Sequence, residues 1–523
     1  MKGTQGEAAG SLDDTATNGS VPRQAEIVFS QPAAGASGGG TGRPISTGPD
    51  WTFELLERYD QAIGAAAAEF GLDTYTNQIE VITSEQMLDA YASNGLPIGY
   101  PHWSYGKSFI THEDAYRRGR QGLAYEIVIN SDPCIAYLME ENTMPMQALV
   151  IAHASYGHNS FFKGNYLFRQ WTQPSSILDY LVFARGYVMD CEEQHGMAAV
   201  EEMLDSCHSL MQYGVNRYRR AAPLSLAGER ARAAERHEYA RLQYNDLWRT
   251  VPAGAAASTQ SKTRNFPVEP EENILYFIEK HSPRLEPWQR EIVRIVRKLA
   301  QYFYPQGQTK VMNEGWATFW HYTLLNRLHE QGLVTDGFML EVLQSHTNVT
   351  WQPGFDEPHY SGINPYALGY AMMSDIRRIC ERPTDEDRQW FPDIAGSNWR
   401  QTLDFAMRNF KDESFIGQYL SPRLMRNFHL FAVADHEASE HLQIDAIHND
   451  KGYASLRKLL SAQYRLDQHL PDIQVVNYAR DGDRSLVLRH QVSRGRPLVE
   501  GESSQVLKHL RRLWGFEVKL QVA

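Results

Sequence analysis

Apolar residues recur at helical spacing along most of the chain. Trp51, Leu55, Leu56 and Tyr59 fall on one face of a helical repeat and lead into the alanine-rich stretch 64–68, so a helix is the first predicted element. Tyr125-Glu126-Ile127-Val128-Ile129-Asn130 is β-prone and runs into Ser131-Asp132-Pro133, the pattern of a strand closed by a turn. Asn142-Thr143 with Pro145 marks a helix start, and the run Met146 to Ser155 is apolar enough to predict a helix buried on most faces. Amphipathic patterns near 175–218, 225–249, 284–304, 312–331, 365–381 and 398–410 predict further helices, with the Ala, Ser and Thr-rich stretch 252–262 as a surface loop.

After about residue 443 the pattern changes. It predicts a helix at 453–464, strands at 473–478 and 484–490, a helix at 503–513 and a strand at 516–521, with Asp481-Gly482-Asp483 as the hairpin turn and Gly482 free to take a positive φ. Residues 1–49 are rich in Gly, Ala, Ser and Thr and offer too little apolar surface to offset chain entropy. The expected organisation is a disordered tail over 1–49, a main helical domain over 50–443 and a small C-terminal α+β domain over 444–523. The fold class is mainly α with a small β component.

Composition narrows the function classes. With 42% hydrophobic and 22% charged residues in 523, most of the chain should fold, and into more than one core. A net charge of -12 argues against a general nucleic-acid binder, and Arg217-Tyr218-Arg219-Arg220 reads as a solvated helix end. Cys134, Cys191, Cys207 and Cys380 form no CxxC pair, which suits a reducing compartment. The sequence has no signal-peptide pattern and no stretch approaching the ~18 apolar residues of a membrane span. The expected location is cytoplasmic.

Two motifs carry chemistry. His153-Ala154-Ser155-Tyr156-Gly157-His158 ends the apolar helix, and Glu314 lies in Asn313-Glu314-Gly315-Trp316-Ala317-Thr318-Phe319-Trp320-His321. Two histidines on one helix and a carboxylate on another form the ligand set of gluzincin-type zinc peptidases, which keep a fourth position open. The reading that follows is a zincin-like main domain and a metallohydrolase holding one zinc or other divalent ion at His153, His158 and Glu314. Two features depart from that pattern. Five residues apart on an α-helix leaves the histidines about 140° from each other, so a π-bulge or a helix end at Gly157 has to bring them together. The general-base Glu of HExxH is replaced by Ala154, which leaves Glu126 as the candidate catalytic carboxylate. His321, seven residues after Glu314, shares its face and is either a fourth ligand or a hydrogen-bond partner behind one. The alternative for the whole set is buried, hydrogen-bonded structural residues.

A second constellation, Glu192 with His195 and Glu201 with Asp205 and His208, has the residue types of di-iron bundles. It would need Glu437, Glu440 and His441 opposite; a solvated face with internal ion pairs is the simpler reading. His102, Trp103, Tyr105, Lys107 and Arg423 have the aromatic and polar density of a cleft near the metal, or of a helical core.

The stretches Tyr100 to Lys107, Tyr125 through His153 to Phe162, and Asn313 to His321 resemble the SpoVR family (stage V sporulation protein R), as do Gly362-Ile363-Asn364-Pro365-Tyr366 and Ser421-Pro422-Arg423. The resemblance covers roughly 50–523. Lys163-Gly164-Asn165 after Phe162 and the extended N-terminus look like the proteobacterial branch. The resemblance implies a link to spore cortex assembly in spore formers. In Gram-negative relatives it implies association with a PrkA-type serine kinase and a von Willebrand-type partner in stress responses. Two functions are therefore carried forward: a metal-dependent hydrolase-like protein acting on an amide bond in cell-wall material or a peptide, and a non-catalytic regulatory or scaffold protein in a kinase-linked system. Ala154 is the residue that separates them.

Overall fold

Helix Phe53–Phe70 begins as the apolar spacing predicts: Thr52 caps it by accepting from Leu55 N at 3.2 Å, and Gly71 closes it at a φ of 81°. The computed structural model describes residues 42–523 apart from 94–97, 118–125, most of 219–265, 356, 435–442, 447, 467–469, 481 and 493–496. Most of the expected N-terminal tail, the 252–262 loop and most of the 225–249 helix lie outside the described residues. Within the expected tail, however, Ile45 N donates to Leu333 O at 2.9 Å, Ser46 Oγ meets Tyr59 OH at 3.0 Å, and Pro49 O accepts from Met144 N at 2.6 Å. Ordered structure thus begins before Trp51.

The protein is mainly helical with small sheets. Three strands form the first sheet, in the order Asn77–Ile82, Cys134–Met139, Glu126–Ile129. The central Cys134–Met139 runs parallel to the first and antiparallel to the third, with Glu126 opposite Leu138. Neither Asn77–Ile82 nor Cys134–Met139 alternates apolar with polar burial, and this is why the pattern misses them. The predicted helix at 175–218 is two helices, Ile177–His195 and Met197–His208, because Gly196 at φ 86° and ψ 142° breaks the repeat. Helices Ser84–Ala92, Trp103–Arg117 and Asp336–Val349 add to the predicted set.

Two large apolar clusters organise the chain. The first gathers helix Phe53–Phe70, the central strand, residues 144–168 and helices Lys310–Glu330, Asp336–Val349, Pro365–Glu381 and Asp412–Tyr419. The second gathers Ile177–His195, Met197–His208, Ile274–His281, Pro287–Gln308 and the C-terminal sheet. That sheet has the order Asp472–Tyr478, Leu486–Gln491, Val518–Val522, antiparallel then parallel, with helix Glu500–Trp514 as the crossover. The stretch 444–523 is divided between the clusters: Tyr453, Leu456 and Leu460 of helix Asp450–Gln463 join the first, and Val475, Leu486, Leu488 and Val518 the second. In the turn before Leu486 the left-handed residue is Arg484, at φ 59°, rather than Gly482. No helix among the described residues is long and apolar enough to cross a membrane.

Helix Lys310–Glu330, hereafter the glutamate helix, is squeezed between two neighbours. A Cβ on Gly157 would lie 2.6 Å from Ala317 Cα, and a Cβ on Gly369 would meet Val311 O and lie 2.7 Å from Gly315 Cα. These are backbone atoms and cannot swing aside.

Two predictions follow from the packing. A chain beginning at Gly48 loses the Ile45 and Ser46 contacts and should be less stable by about 1–2 kcal/mol in urea unfolding. One beginning at Gly42 should match the full chain; equal midpoints for the two truncations would show that residues 42–47 contribute nothing. Gly369→Ala should cost about 1–3 kcal/mol by overpacking. Gly186→Ala, mid-helix with nothing within 4 Å of its Cβ position, should instead stabilise by about 0.5–1 kcal/mol. Equal urea midpoints for the two variants would refute the close-approach account.

Candidate metal centre

The helix that bears both histidines changes character midway. Met144–Val150 is α-helical, Ile151–His158 is π-helical and Asn159–Gly164 returns to α. We refer to 144–164 as the histidine helix. A π-turn closes its hydrogen bond one residue later than an α-turn, so positions five apart stack above each other. The five-residue spacing of His153 and His158 is corrected in this way, and the two rings sit edge to face with centroids 4.7 Å apart. The wide turn includes Gly157, where the backbone lies against Ala317 of the glutamate helix.

Four side chains converge there from three elements. His153 Nε2 is 3.2 Å from Glu126 Oε1 and 3.8 Å from Glu314 Oε2, and His158 Nε2 is 3.4 Å from the same Glu314 oxygen. Donor atoms of Glu126, His153 and His158 all lie within 4.8 Å of one another. Glu314 Oε2 is buried without a hydrogen-bond partner of good geometry and faces the Nε2 atoms of both histidines. The histidine side chains are 4% and 6% exposed, against 18% and 17% for Glu126 and Glu314, so the site opens on its carboxylate side.

The surroundings orient each candidate ligand. His158 Nδ1 is 2.9 Å from Asn313 Oδ1 and donates to it, so Nε2 faces the site, an acceptor when the ring is neutral and a donor toward Glu314 when it is protonated. His153 Nδ1 is 2.9 Å from His321 Nδ1, and His321 Nε2 is 2.8 Å from His346 Nδ1. Both nitrogens of His321 are therefore engaged behind His153. Tyr366 lies nearly parallel to the His153 ring at 6.4 Å. Asp412 fixes the start of the glutamate helix, accepting from Val311 N and Met312 N at 2.9 Å each.

Electrostatics follow from burial among charges. Burial pushes the Glu314 carboxyl up, but His158 and His153 together outweigh it and hold the group well below the usual range. For Glu126 burial wins and the pKa rises, although His153 and His158 pull it down. Burial lowers His158, yet Glu314 and Glu126 raise it by more. His321 and His346 are lowered, first by burial and then by neighbouring imidazoles, His346 to about 4. Asp412 is pushed up to about 7 by burial, against the backbone N–H groups that it accepts from.

The other sequence candidates assemble elsewhere. His102 Nε2 lies 3.2 Å from Asp205 Oδ1, Trp103 Nε1 donates to the same oxygen at 2.8 Å, and the His102 and His208 rings are 4.5 Å apart. This cluster sits beside Tyr100, whose OH meets His208 Nε2 at 2.6 Å, and Tyr100 belongs to the second core. Lys107 lies over Trp103, and Arg423 is in helix Pro422–Asn427. His195 stacks on Trp288 rather than joining the carboxylates of a di-iron set. Glu437, Glu440 and His441 lie outside the described residues. Sequence reasoning passed over Asn313 and His346 as functional residues. Asn313 stands beside Glu314 in its motif, a usable signal, whereas His346 sits on an unpredicted helix and gave none.

Comparison with known proteins agrees over nearly the whole described chain. Residues 50–469 match the family model "SpoVR like protein" and residues 471–523 match "SpoVR-like C-terminal domain". The uncharacterized protein YcgB of Escherichia coli (strain K12) is 61% identical over 477 residues, covering 91% of this chain and 93% of that protein. No solved structure matches. The two family models meet just before strand Asp472–Tyr478, where the chain passes from the first core to the second.

Asp412 generates a pH prediction. Its carboxyl titrates near 3.8 when unfolded and about 7 when folded, so across this interval the folded state binds the extra proton and stability falls as pH rises. Between about pH 4.5 and 6 this contributes a slope of about 1.4 kcal/mol per pH unit. Urea unfolding in chelator should show a steeper fall for the natural chain than for Asp412→Asn; identical slopes would refute the assignment.

Proposed function

This chain belongs to the SpoVR family, and we propose that it is a metal-dependent hydrolase-like protein with one divalent ion held by His153, His158 and Glu314. The observation that carries this reading is the π-turn, which sets two histidine Nε2 atoms beside a buried Glu314 oxygen without a hydrogen-bond partner of good geometry. Two imidazoles and a carboxylate are the donors that zinc takes in hydrolytic sites. Zinc there would supply the Lewis acidity that polarises an amide carbonyl. His321 stands outside the ligand set because both its nitrogens face other imidazoles.

Glu126 takes the role that HExxH gives to the residue after the first histidine. Its Oε1 is at the site, on the more exposed side, and its raised pKa suits a carboxylate that accepts a proton from attacking water and passes it to the leaving amine. Ala154 is fully buried in the first core. The substrate class is an amide bond, in a peptide or in cell-wall material. All four cysteines are free and buried, which supports a reducing, cytoplasmic setting.

Ala154 also favours a second reading, in which the same metal site is structural in a regulatory or scaffold protein working with a PrkA-type serine kinase and a von Willebrand-type partner. Two variants separate the readings. Purified protein should hold about one equivalent of zinc by elemental analysis. Glu314→Gln should lose it, and Glu126→Gln should keep it while losing amide hydrolysis. Full metal retention in Glu314→Gln would sink the ligand assignment. Zinc bound by a natural chain that cleaves neither peptide nor peptidoglycan amides would favour the scaffold. Ala154→Glu should give no gain of peptidase activity and a loss of stability, because the new carboxylate would be buried in the core.

A further inference from the structure

A cavity of about 230 Å³ lies against both helices of the candidate metal centre, yet none of the four side chains of that centre lines it. Its walls include Ser160 of the histidine helix, Trp316 and Trp320 of the glutamate helix, Phe70, and Arg400 and Met407 of helix Trp399–Asn409. Gly71, Asp73, Arg400 and Gln401 at its edge are exposed, so the cavity opens to solvent there.

The interior is aromatic and holds one idle donor. Trp320 packs 5.5 Å from Phe70 and edge-on to Trp316 at the same distance. Trp316 Nε1 donates to Ser160 Oγ at 2.9 Å, whereas Trp320 Nε1 is buried with no hydrogen-bond partner among the described residues. Trp320 is 3% exposed, and an indole N–H buried that deeply normally has an acceptor. The mouth carries an unbalanced positive charge. Asp404 accepts from Arg408 Nε at 2.8 Å and Asp73 from Lys163 Nζ at 2.6 Å. Arg400 has no carboxylate partner among the described residues, and its one hydrogen bond there is to Glu69 O at 3.4 Å. Its guanidinium is held in place over the rings of Phe70 at 4.8 Å and Trp399 at 5.5 Å. Trp320 flanks the same two rings, so one anionic group can reach both donors.

We propose that this cavity is a binding site for a small planar carboxylate, its ring seated against Phe70, Trp316 and Trp320 and its carboxylate shared by Trp320 Nε1–H and the Arg400 guanidinium. Size sets the class: an apolar cavity of about 150 Å³ accepts benzene, so this one has room for a single ring with a short acidic arm. A bare inorganic anion would use the two donors and leave the rings uncovered. The site stands independently of the metal reading, because neither its donors nor its walls include a candidate metal ligand.

The test uses the full chain with ¹⁵N-labelled tryptophan and phenylacetate as the probe. Benzyl alcohol and acetate are the controls, one keeping the ring without the charge and the other the charge without the ring. Phenylacetate should shift the Trp320 indole N–H signal, identified by its loss in Trp320→Phe, and should bind about 10-fold more tightly than either control by calorimetry. Trp320→Phe keeps an aromatic wall but removes the donor, and should weaken phenylacetate about 10-fold. Arg400→Gln, an exposed substitution, should abolish the preference for phenylacetate over benzyl alcohol. No binding of phenylacetate at millimolar concentration would overturn the proposal. So would an unmoved Trp320 signal, or a preference for the carboxylate that survives in Arg400→Gln. If Trp320→Phe does not fold, calorimetry on the natural chain and Arg400→Gln still decides.

Discussion

The backbone of the glutamate helix touches a neighbour on two sides, at Gly157 against Ala317 and at Gly369 against Gly315 and Val311. Side chains normally hold packed helices about 8–10 Å apart. Here glycine lets the main chains approach more closely, and the candidate ligands inherit that closeness. His153 and His158 are on one helix and Glu314 on another, and their donor atoms meet because little separates the helices that carry them. The neighbouring helix Pro365–Glu381 presses from its own glycine and begins with the Asn364-Pro365-Tyr366 turn that brings Tyr366 beside His153.

A buried cluster of two carboxylates and two histidines is costly unless every charge has a counterpart. The surrounding residues supply most of what is needed. Asn313 holds one histidine, His321 and His346 stand behind the other, and Asp412 accepts from the first turn of the glutamate helix. What remains is the Glu314 oxygen without a hydrogen-bond partner of good geometry, at the point where the two Nε2 atoms converge. Ser155 Oγ, Thr318 Oγ1 and His346 Nε2 are also buried without a hydrogen-bond partner, but only the Glu314 oxygen lies where two imidazole nitrogens converge, and that convergence is the physical content of the metal proposal.

The centre lies wholly within the first core. The C-terminal sheet and the His102–Asp205 cluster belong with the second, whose strands bury one face against helices Met197–His208, Ile274–His281 and Pro287–Gln308. The two cores thus separate the candidate chemistry from the part of the chain that forms the C-terminal family domain.

The one-dimensional pattern was enough for elements whose burial repeats with their own period. Helices Pro287–Gln308, Pro365–Glu381 and Trp399–Asn409, and the alternation of strands and helix after residue 470, follow from apolar stripes and capping residues that act within one turn. Residue types and motif adjacency were enough to single out His153, His158, Glu314, Glu126 and His321. Strand Cys134–Met139 was hidden because it is buried along nearly its whole length, and the break at Gly196 because one glycine looks the same inside a helix as between two. The tertiary structure decided the rest. A π-turn is less favourable than an α-turn for an isolated chain, so the widening at 151–158 is set by the helices packed around it, with Gly157 against Ala317. The same holds for the alignment of His321 with His346 and of Asn313 with His158. Those pairs are 25 and 155 residues apart in sequence, and their hydrogen bonds exist only once separate helices have been pressed together.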